Sequence, residues 1–271
     1  MNISDFKNPF FIGVAGVGMS AIAQYLQGIG KNVSGSDRYF HPDEYNKTKE
    51  QLENEGIKCF LQDGRGITKE TDLVVVSTAI EDTVYEVKKA KELGIPIIKR
   101  SQLLAMIAKS KKTVAVAGTS GKSTTSAMLF QILLDAGLEP SIISGAGLTS
   151  IIKQGKIGNA YVGKGDWLII EADESDGSVV QYEPEIGLLL NIDKDHQEMD
   201  ELMSLFSTFK TNSRHFITNL THPLSASLSA GSSFDFSCGE LLTVDGYQLT
   251  VNHQPSTDNF PRLILLRHLG N

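Results

Sequence analysis

A glycine-rich segment in the middle of the chain has the residue types and spacing of a phosphate-binding loop. An apolar run at 114–117 predicts a buried strand, and a helix is predicted to begin just after the glycines. Backbone N–H groups of such a loop bind a polyphosphate, Lys122 reaches its terminal oxygens, and the Ser123 hydroxyl is a ligand for Mg²⁺. We therefore predict an ATP site with Mg²⁺, formed by Gly118, Thr119, Ser120, Gly121, Lys122, Ser123 and Thr124.

The general P-loop pattern does not fit this segment. That pattern requires a glycine five residues before Gly121, where Val116 stands, so that only the shorter form G-T-x-G-K-[ST]-T matches. A strand–turn–helix junction that merely contains Gly-Lys-Ser is the structural alternative. Apolar residues at helical spacing follow the loop, and Gly137 is typical of a helix end.

A second glycine-rich turn lies near the N-terminus. Gly16, Gly18 and Ala21 match G-x-G-x-x-A after an apolar run, a pattern that lets a diphosphate approach the backbone closely. Asp37 ends the next predicted strand, at a separation typical of an acid that binds a ribose. These residues alone would also fit an NAD site, or a plain βα turn in which Asp37 is a turn former.

Acidic residues follow two further predicted strands. An apolar run at 167–170 leads into Glu171-Ala-Asp173-Glu174-Ser-Asp176, and a run at 186–192 leads into Asp193-Lys-Asp195-His196. Because parallel strands bind ligands at their carboxyl ends, both segments should meet the loop at 118–123 along one sheet edge. A solvated acidic loop and a structural histidine are the alternatives.

Composition argues against several functional classes. The 271 residues carry a net charge of −7 with a pI near 5.4. This acidic balance argues against binding to nucleic acids or anionic membranes, which requires a basic face. Cys59 and Cys238 are far apart without metal-ligand spacing, which predicts free thiols. The chain starts without a basic segment followed by an apolar one, and no apolar run has the length of a spanning helix. We therefore expect a cytoplasmic protein.

Taken together, these motifs resemble the Mur ligase superfamily of ATP-dependent amide-forming enzymes, in particular its alanine-adding branch. The resemblance rests on the short phosphate loop, S-[ST]-A-I at 77–80, E-A-D-E-S-D at 171–176 and N-I-x-x-D-H at 191–196. It implies an α/β chain with a Rossmann-like, parallel-sheet UDP-sugar domain over 1–110. An ATP-binding domain of the P-loop type would occupy 111–271. The resemblance also implies that this second domain is incomplete and that a C-terminal domain is absent.

The resemblance assigns roles to individual residues. It implies that Ser123, Glu171 and His196 bind Mg²⁺, with Asp195 orienting the imidazole, and that Lys122, Glu171 and His196 are catalytic. The residues it implies for substrate binding are Gly16, Gly18, Met19, Ser20, Asp37, Ser77, Thr78, Asn159 and Asn191.

The reaction implied is phosphorylation of the lactyl carboxylate of UDP-N-acetylmuramate by ATP, followed by attack of an amino acid or peptide amine. Three residues depart from the alanine-adding pattern: Ser120 replaces a His, Ser123 replaces a Thr, and Glu198 replaces an Asp. Ser123 keeps the hydroxyl, whereas Ser120 and Glu198 suggest a paralogue that adds L-alanine or a related amino acid or peptide. Without a C-terminal domain, the chain is expected to bind both ligands but not to complete the amide.

Two other classes of protein stay open at this point. A catalytically silent nucleotide-binding module would keep these folds without turnover. An NAD-dependent oxidoreductase would explain the first glycine turn, but it gives the loop at 118–123 no function.

Overall fold

The structure of the chain is a computed structural model. It describes residues 1–193 and 198–237 in full and the backbone of two strands at 241–244 and 247–250. His196, Asp195 and Cys238, which the sequence analysis singled out, lie outside the described residues.

The first half of the chain forms a five-stranded parallel sheet covered by helices. Its strands are β1 (Pro9–Ile12), β2 (Ser34–Asp37), β3 (Lys58–Leu61), β4 (Leu73–Val76) and β5 (Ile97–Lys99). The helices are α1 (Val17–Gly28), α2 (Lys47–Asn54), α3 (Tyr85–Glu92) and α4 (Arg100–Lys109). The strand order is β3-β2-β1-β4-β5, so β2 and β3 are added on one side of β1 and β4 and β5 on the other. The first glycine turn lies at this switch point, where open parallel sheets bind ligands.

The second half forms a six-stranded sheet in the order β11-β10-β6-β9-β7-β8. Neighbouring strands are parallel, except for the antiparallel edge pair β7 and β8. The strands are β6 (Lys112–Ala117), β7 (Ser141–Ile143), β8 (Ala160–Tyr161), β9 (Trp167–Ala172), β10 (Ile186–Leu189) and β11 (His215–Thr218). The helices are α5 (Lys122–Asp135), α6 (Thr149–Ile152), α7 (Met199–Asn212) and α8 (Pro223–Ser227). A separate antiparallel pair comprises β12 (Leu241–Val244) and β13 (Tyr247–Thr250).

This architecture confirms the predicted fold class, a Rossmann-like parallel sheet followed by a P-loop-type α/β unit. α4 ends at Lys109, and Lys112 already belongs to β6. The strand predicted over 186–192 ends at Leu189, since Asn191 leaves the sheet to contact the phosphate loop. The two sheets use residues 9–99 and 112–218, and the domain boundary at 110 stays a prediction.

A buried amide network joins the two sheets. The Gln24 side chain on α1 donates a hydrogen bond to Asn159 Oδ1 at 2.7 Å. Asn159 Nδ2 donates in turn to the Val17 carbonyl at 2.8 Å and to Ser20 Oγ at 3.0 Å. Asn159 is only 1% exposed, so these hydrogen bonds form without competition from water.

Close packing and an ion pair complete this interface. A Cβ at Gly28 would lie 2.6 Å from Val162, so glycine allows the end of α1 to approach the segment just after β8. Lys156 and Glu55 form an ion pair across the interface, with Nζ and Oε2 3.3 Å apart. In the first domain, Gly28 ends α1 and Glu55 follows α2, so both contacts lie at the ends of helices.

Glu86 is a fully buried acid in the first domain. Its residue exposure is 0%, and neither carboxylate oxygen makes a well-aligned hydrogen bond within the described part of the chain. Burial raises the pKa of Glu86 above its ordinary value, and nearby polar groups of Ser36, Gln62 and Gly64 oppose part of that shift. Folding therefore shifts the equilibrium of this acid toward its protonated form, relative to an exposed glutamate.

We expect Glu86→Gln to gain stability relative to the natural protein as pH rises from about 5 to about 8. A raised pKa in the folded state contributes stability below the ordinary value of 4.5, and that contribution is lost as pH rises through the folded-state pKa. Thermal melts of both proteins across this range would measure the difference. Glu92→Gln, an exposed site on the same helix, is the control and should show no such trend. A pH-independent difference for Glu86→Gln would contradict the prediction.

Candidate active site

The phosphate loop connects the end of β6 to the first residue of α5, as the sequence predicts. Gly118 and Gly121 have φ values of 139° and 80°, in a region that residues with a side chain rarely adopt. A Cβ at Gly118 would also lie 3.2 Å from the backbone nitrogen of Asn191. Glycine is therefore required at both positions for the loop to reach its conformation.

Asn191 holds this loop in place from the end of the neighbouring strand β10. Its Oδ1 accepts hydrogen bonds from Thr119 Oγ1 and from the Ser120 backbone N–H, both at 2.9 Å. Its Nδ2 donates to the Ser120 carbonyl at 3.1 Å. The Asp193 N–H adds a hydrogen bond to Thr119 Oγ1 at 3.0 Å. The loop is thus braced by side-chain contacts before any ligand arrives.

Lys122 folds back over the loop that it follows. Its ammonium group donates to the Gly118 carbonyl at 2.7 Å and forms an ion pair with Glu174, with Nζ and Oε2 2.9 Å apart. The side chains of Lys122 and Glu174 are 17% and 6% exposed, so water screens this pair only weakly. The lysine therefore places a positive charge directly above the phosphate loop.

Glu171, at the end of β9, collects three hydrogen bonds beside the loop. Its Oε2 accepts from Ser123 Oγ at 2.9 Å. Its Oε1 accepts from Ser144 Oγ at 2.5 Å and from the Gly145 backbone N–H at 2.8 Å. Hydroxyl and carboxylate oxygens are the ligands that Mg²⁺ prefers, so this set of donors fits that ion.

The structure brings together two of the three residues that we predict to bind Mg²⁺, Ser123 and Glu171. The third, His196, lies outside the described residues together with its expected partner Asp195. Within the part of the chain that the structure describes, no group of three His, Cys, Asp or Glu residues is placed to hold a metal ion. The assignment of the metal ligands stays a prediction.

The first glycine turn is held by Asp37. Its Oδ2 accepts a hydrogen bond from the Ala15 N–H at 2.9 Å, and its Oδ1 accepts from the Tyr39 N–H at 3.1 Å. The side chain is 4% exposed, so in this structure Asp37 supports the turn itself. Gly16 immediately precedes α1, and Gly18 faces the guanidinium of Arg100.

The remaining residues predicted to bind substrate differ in accessibility. Met19 and Ser20 are buried in α1, whereas Ser77 is half-buried and Thr78 is exposed at the end of β4. Asn159 uses both amide hydrogens on α1, which gives it a structural role between the domains. Substrate contacts for these residues and for Asp37 stay predictions.

Sequence reasoning missed Arg100. Its Nη2 donates to Asp176 Oδ2 at 2.9 Å, which links the start of α4 to the acidic turn after β9. The signal available in the sequence was its position directly after a predicted strand. That placement puts a cation at the carboxyl edge of the first sheet.

Two further features of the described residues lie outside the candidate site. Cys59 is a free thiol, and burial raises its pKa to about 12, which leaves it unreactive at neutral pH. No helix among these residues has the length and apolar character needed to cross a membrane.

Comparisons with protein families match the two domains that carry the first glycine turn and the phosphate loop. The profile described as "Mur ligase family, catalytic domain" matches residues 10–112. The profile described as "Mur ligase middle domain" matches residues 116–233. These two matches cover most of both sheets, and the chain belongs to the Mur ligase family.

Its relatives include UDP-N-acetylmuramate–L-alanine ligases. The one from Syntrophomonas wolfei is 37% identical over 254 residues, which are 92% of this chain and 51% of the relative. The one from a Cyanothece species is 41% identical over 218 residues, 77% of this chain and 43% of the relative. The crystal structure of UDP-N-acetylmuramate-alanine ligase from Thermotoga maritima superposes with a TM-score of 0.72 at 26% identity, covering 83% of this chain and 52% of that one. The chain thus spans about half the length of the curated relatives that it matches.

We expect Asn191→Ala to weaken nucleotide binding by about tenfold, because it removes the hydrogen bonds that pre-form the phosphate loop. Calorimetric titration with ATP and Mg²⁺ would measure the change. Asn219→Ala is a matched control, since Asn219 follows the adjacent strand β11 and caps only the Thr221 N–H. Equal losses in the two variants would show that Asn191 acts through general stability.

Proposed function

We propose that this chain provides the UDP-sugar and ATP sites of a ligase that forms an amide on the lactyl carboxylate of UDP-N-acetylmuramate. The observation that carries the proposal is the meeting of Lys122, Ser123 and Glu171 at one sheet edge. Cation, hydroxyl and carboxylate there are the groups that a magnesium nucleotide needs. The names of the relatives support the choice of sugar substrate. We propose that the reaction belongs to peptidoglycan precursor synthesis or recycling.

The chain's own residues would position the reactants in this reaction. Backbone N–H groups at 118–123 bind the phosphates of ATP, and Lys122 neutralises charge on the phosphoryl group that is transferred. Ser123 and Glu171 would hold Mg²⁺, which also neutralises charge on the phosphates. The carboxylate of the sugar substrate attacks the terminal phosphorus and releases ADP. The amine of the second substrate then attacks the acyl phosphate and expels phosphate.

The amino acid joined to the sugar is proposed to be L-alanine or a close relative of it, following the names of the relatives. Ser120 and Glu198 stand where the alanine-adding pattern has His and Asp. Ser120 is exposed in the phosphate loop, and Glu198 is exposed at the start of α7. These exchanges favour a panel that also includes other amino acids and short peptides. We propose a cytoplasmic location, where ATP and nucleotide sugars are available.

We expect Lys122→Ala to weaken ATP binding by at least tenfold and to abolish phosphate release that depends on the UDP-sugar. The variant lacks the cation that faces the transferred phosphoryl group, while the loop keeps its bracing by Asn191. Calorimetry and phosphate assays would measure both effects. Lys153→Ala, an exposed lysine of the same domain, should behave as the natural protein does. Unchanged ATP binding in Lys122→Ala would rule out the proposed nucleotide site.

We expect the first glycine turn to bind UDP-N-acetylmuramate and not NADH, and Gly18→Val to abolish that binding. A Cβ at Gly18 would lie only 3.0 Å from Arg100 Nη1, so a branched side chain would fill the approach to the turn. Parallel titrations with the UDP-sugar and with NADH would separate the ligase from an oxidoreductase. Ile29→Val, at an exposed position just after α1, is the control for a substitution near this helix. Tight NADH binding without affinity for the UDP-sugar would reverse the assignment.

A further inference from the structure

One acidic turn, residues 173–176, holds a cation on each side of the domain boundary. Glu174 accepts hydrogen bonds from Lys122 Nζ at 2.9 and 3.2 Å, and Asp176 Oδ2 accepts from Arg100 Nη2 at 2.9 Å. Lys122 belongs to the phosphate loop, whereas Arg100 begins α4 after the last strand of the first sheet. The acidic turn therefore contacts both proposed ligand sites at once.

Arg100 lies where the first ligand would place negative charge. Its guanidinium is 3.0 Å from the position of a Cβ on Gly18, so it lies beside the first turn of α1. The start of a helix carries partial positive charge, which disfavours a cation there and favours an anion. Asp176 offsets this repulsion in the structure. A bound diphosphate would supply the same negative charge.

Lys122 shows the same arrangement at the second site. Its ammonium bonds Glu174, whose side chain is only 6% exposed. A polyphosphate at the loop would take Lys122 as its own partner and would bring negative charge next to this carboxylate. Like charges at short distance in a weakly screened setting repel strongly, so Glu174 has to move away when the nucleotide binds.

Internal hydrogen bonds make the acidic turn a single unit. The Gly177 N–H donates to the Glu174 carbonyl, and the Ser178 N–H donates to Asp176 Oδ1, both at 2.9 Å. Ser178 Oγ also donates to the Asp173 carbonyl at 3.3 Å. Because these hydrogen bonds hold the backbone of Glu174 and the side chain of Asp176 in one turn, a backbone displacement at Glu174 would also move Asp176, two residues further along the chain.

We propose that the acidic turn couples the two ligand sites, because Asp176 competes with the diphosphate of the UDP-sugar for Arg100. This inference rests on the proposed function. ATP binding displaces Glu174 from Lys122, the same movement withdraws Asp176 from Arg100, and the freed guanidinium then binds the diphosphate. Each ligand raises the affinity for the other by the same factor, as linkage requires.

The expected size of this coupling is modest. The side chains of Arg100 and Asp176 are 24% and 18% exposed, so their attraction is partly screened by water. We therefore expect a coupling of about fivefold, near the lower end of the range seen for coupled sites.

Calorimetry would test the coupling. UDP-N-acetylmuramate is titrated into the protein with and without a saturating β,γ-methylene analogue of ATP and Mg²⁺. The natural protein should bind the sugar about fivefold more tightly with the analogue. Without the analogue, Asp176→Asn should bind the sugar more tightly than the natural protein does. The ratio of its sugar affinities with and without the analogue should approach one. Arg100→Gln should bind it more weakly, again with a ratio near one.

Glu55→Gln is the matched control, because it breaks another ion pair across the same interface, Lys156–Glu55, which involves neither Arg100 nor the acidic turn. Its ratio should equal that of the natural protein. The coupling is wrong if the natural protein shows a ratio of one, or if Asp176→Asn keeps the natural ratio. If Asp176→Asn does not fold, Arg100→Gln tests the proposal instead. An affinity ratio in Arg100→Gln equal to that of the natural protein would overturn it. Failure of the natural protein to bind either ligand would instead refute the proposed function.

Discussion

The second site depends on the carboxylate of Glu171, because this one side chain ties three elements together. It accepts hydrogen bonds from α5 through Ser123 and from the segment after β7 through Ser144 and Gly145. The sheet register makes this possible, since Val116 on β6 lies opposite Glu171 on β9. The phosphate loop, the acidic turn and the serine after β7 therefore start from one shared edge. Shifting β9 by one residue would turn Glu171 to the other face of the sheet.

The interface between the sheets has two physically different parts. In one part, Asn159 and Gln24 are joined by short hydrogen bonds in a dry environment. At the ligand edges, the contact between Arg100 and Asp176 is an ion pair that water reaches in part. Hydrogen bonds between neutral groups in a dry interface are costly to break, whereas an exposed ion pair is easily exchanged for another anion. The same interface thus combines a fixed contact with an exchangeable one.

The features that arise from nearby residues could be predicted from the sequence. The loop at 118–124 has its own glycines, and the runs before Glu171 and Asn191 predict buried strands whose ends must share an edge in a parallel sheet. The features that it did not reveal depend on contacts between distant segments. Nothing near Asn159 in the sequence indicates that α1 covers it. Likewise, Arg100 and Asp176 are 76 positions apart, and no local pattern indicates their pairing.

The amide contact between Gln24 and Asn159 restricts how this family member can change its sequence. Gln24 Nε2 divides its hydrogens between Asn159 and the Ser20 carbonyl, while its buried Oε1 has no hydrogen-bond partner within the described chain. An apolar residue at either position alone would strand the polar atoms of the other in a site without water. Such positions exchange only as pairs. In homologous sequences, residues 24 and 159 should therefore covary, although 135 positions separate them and they lie in different domains.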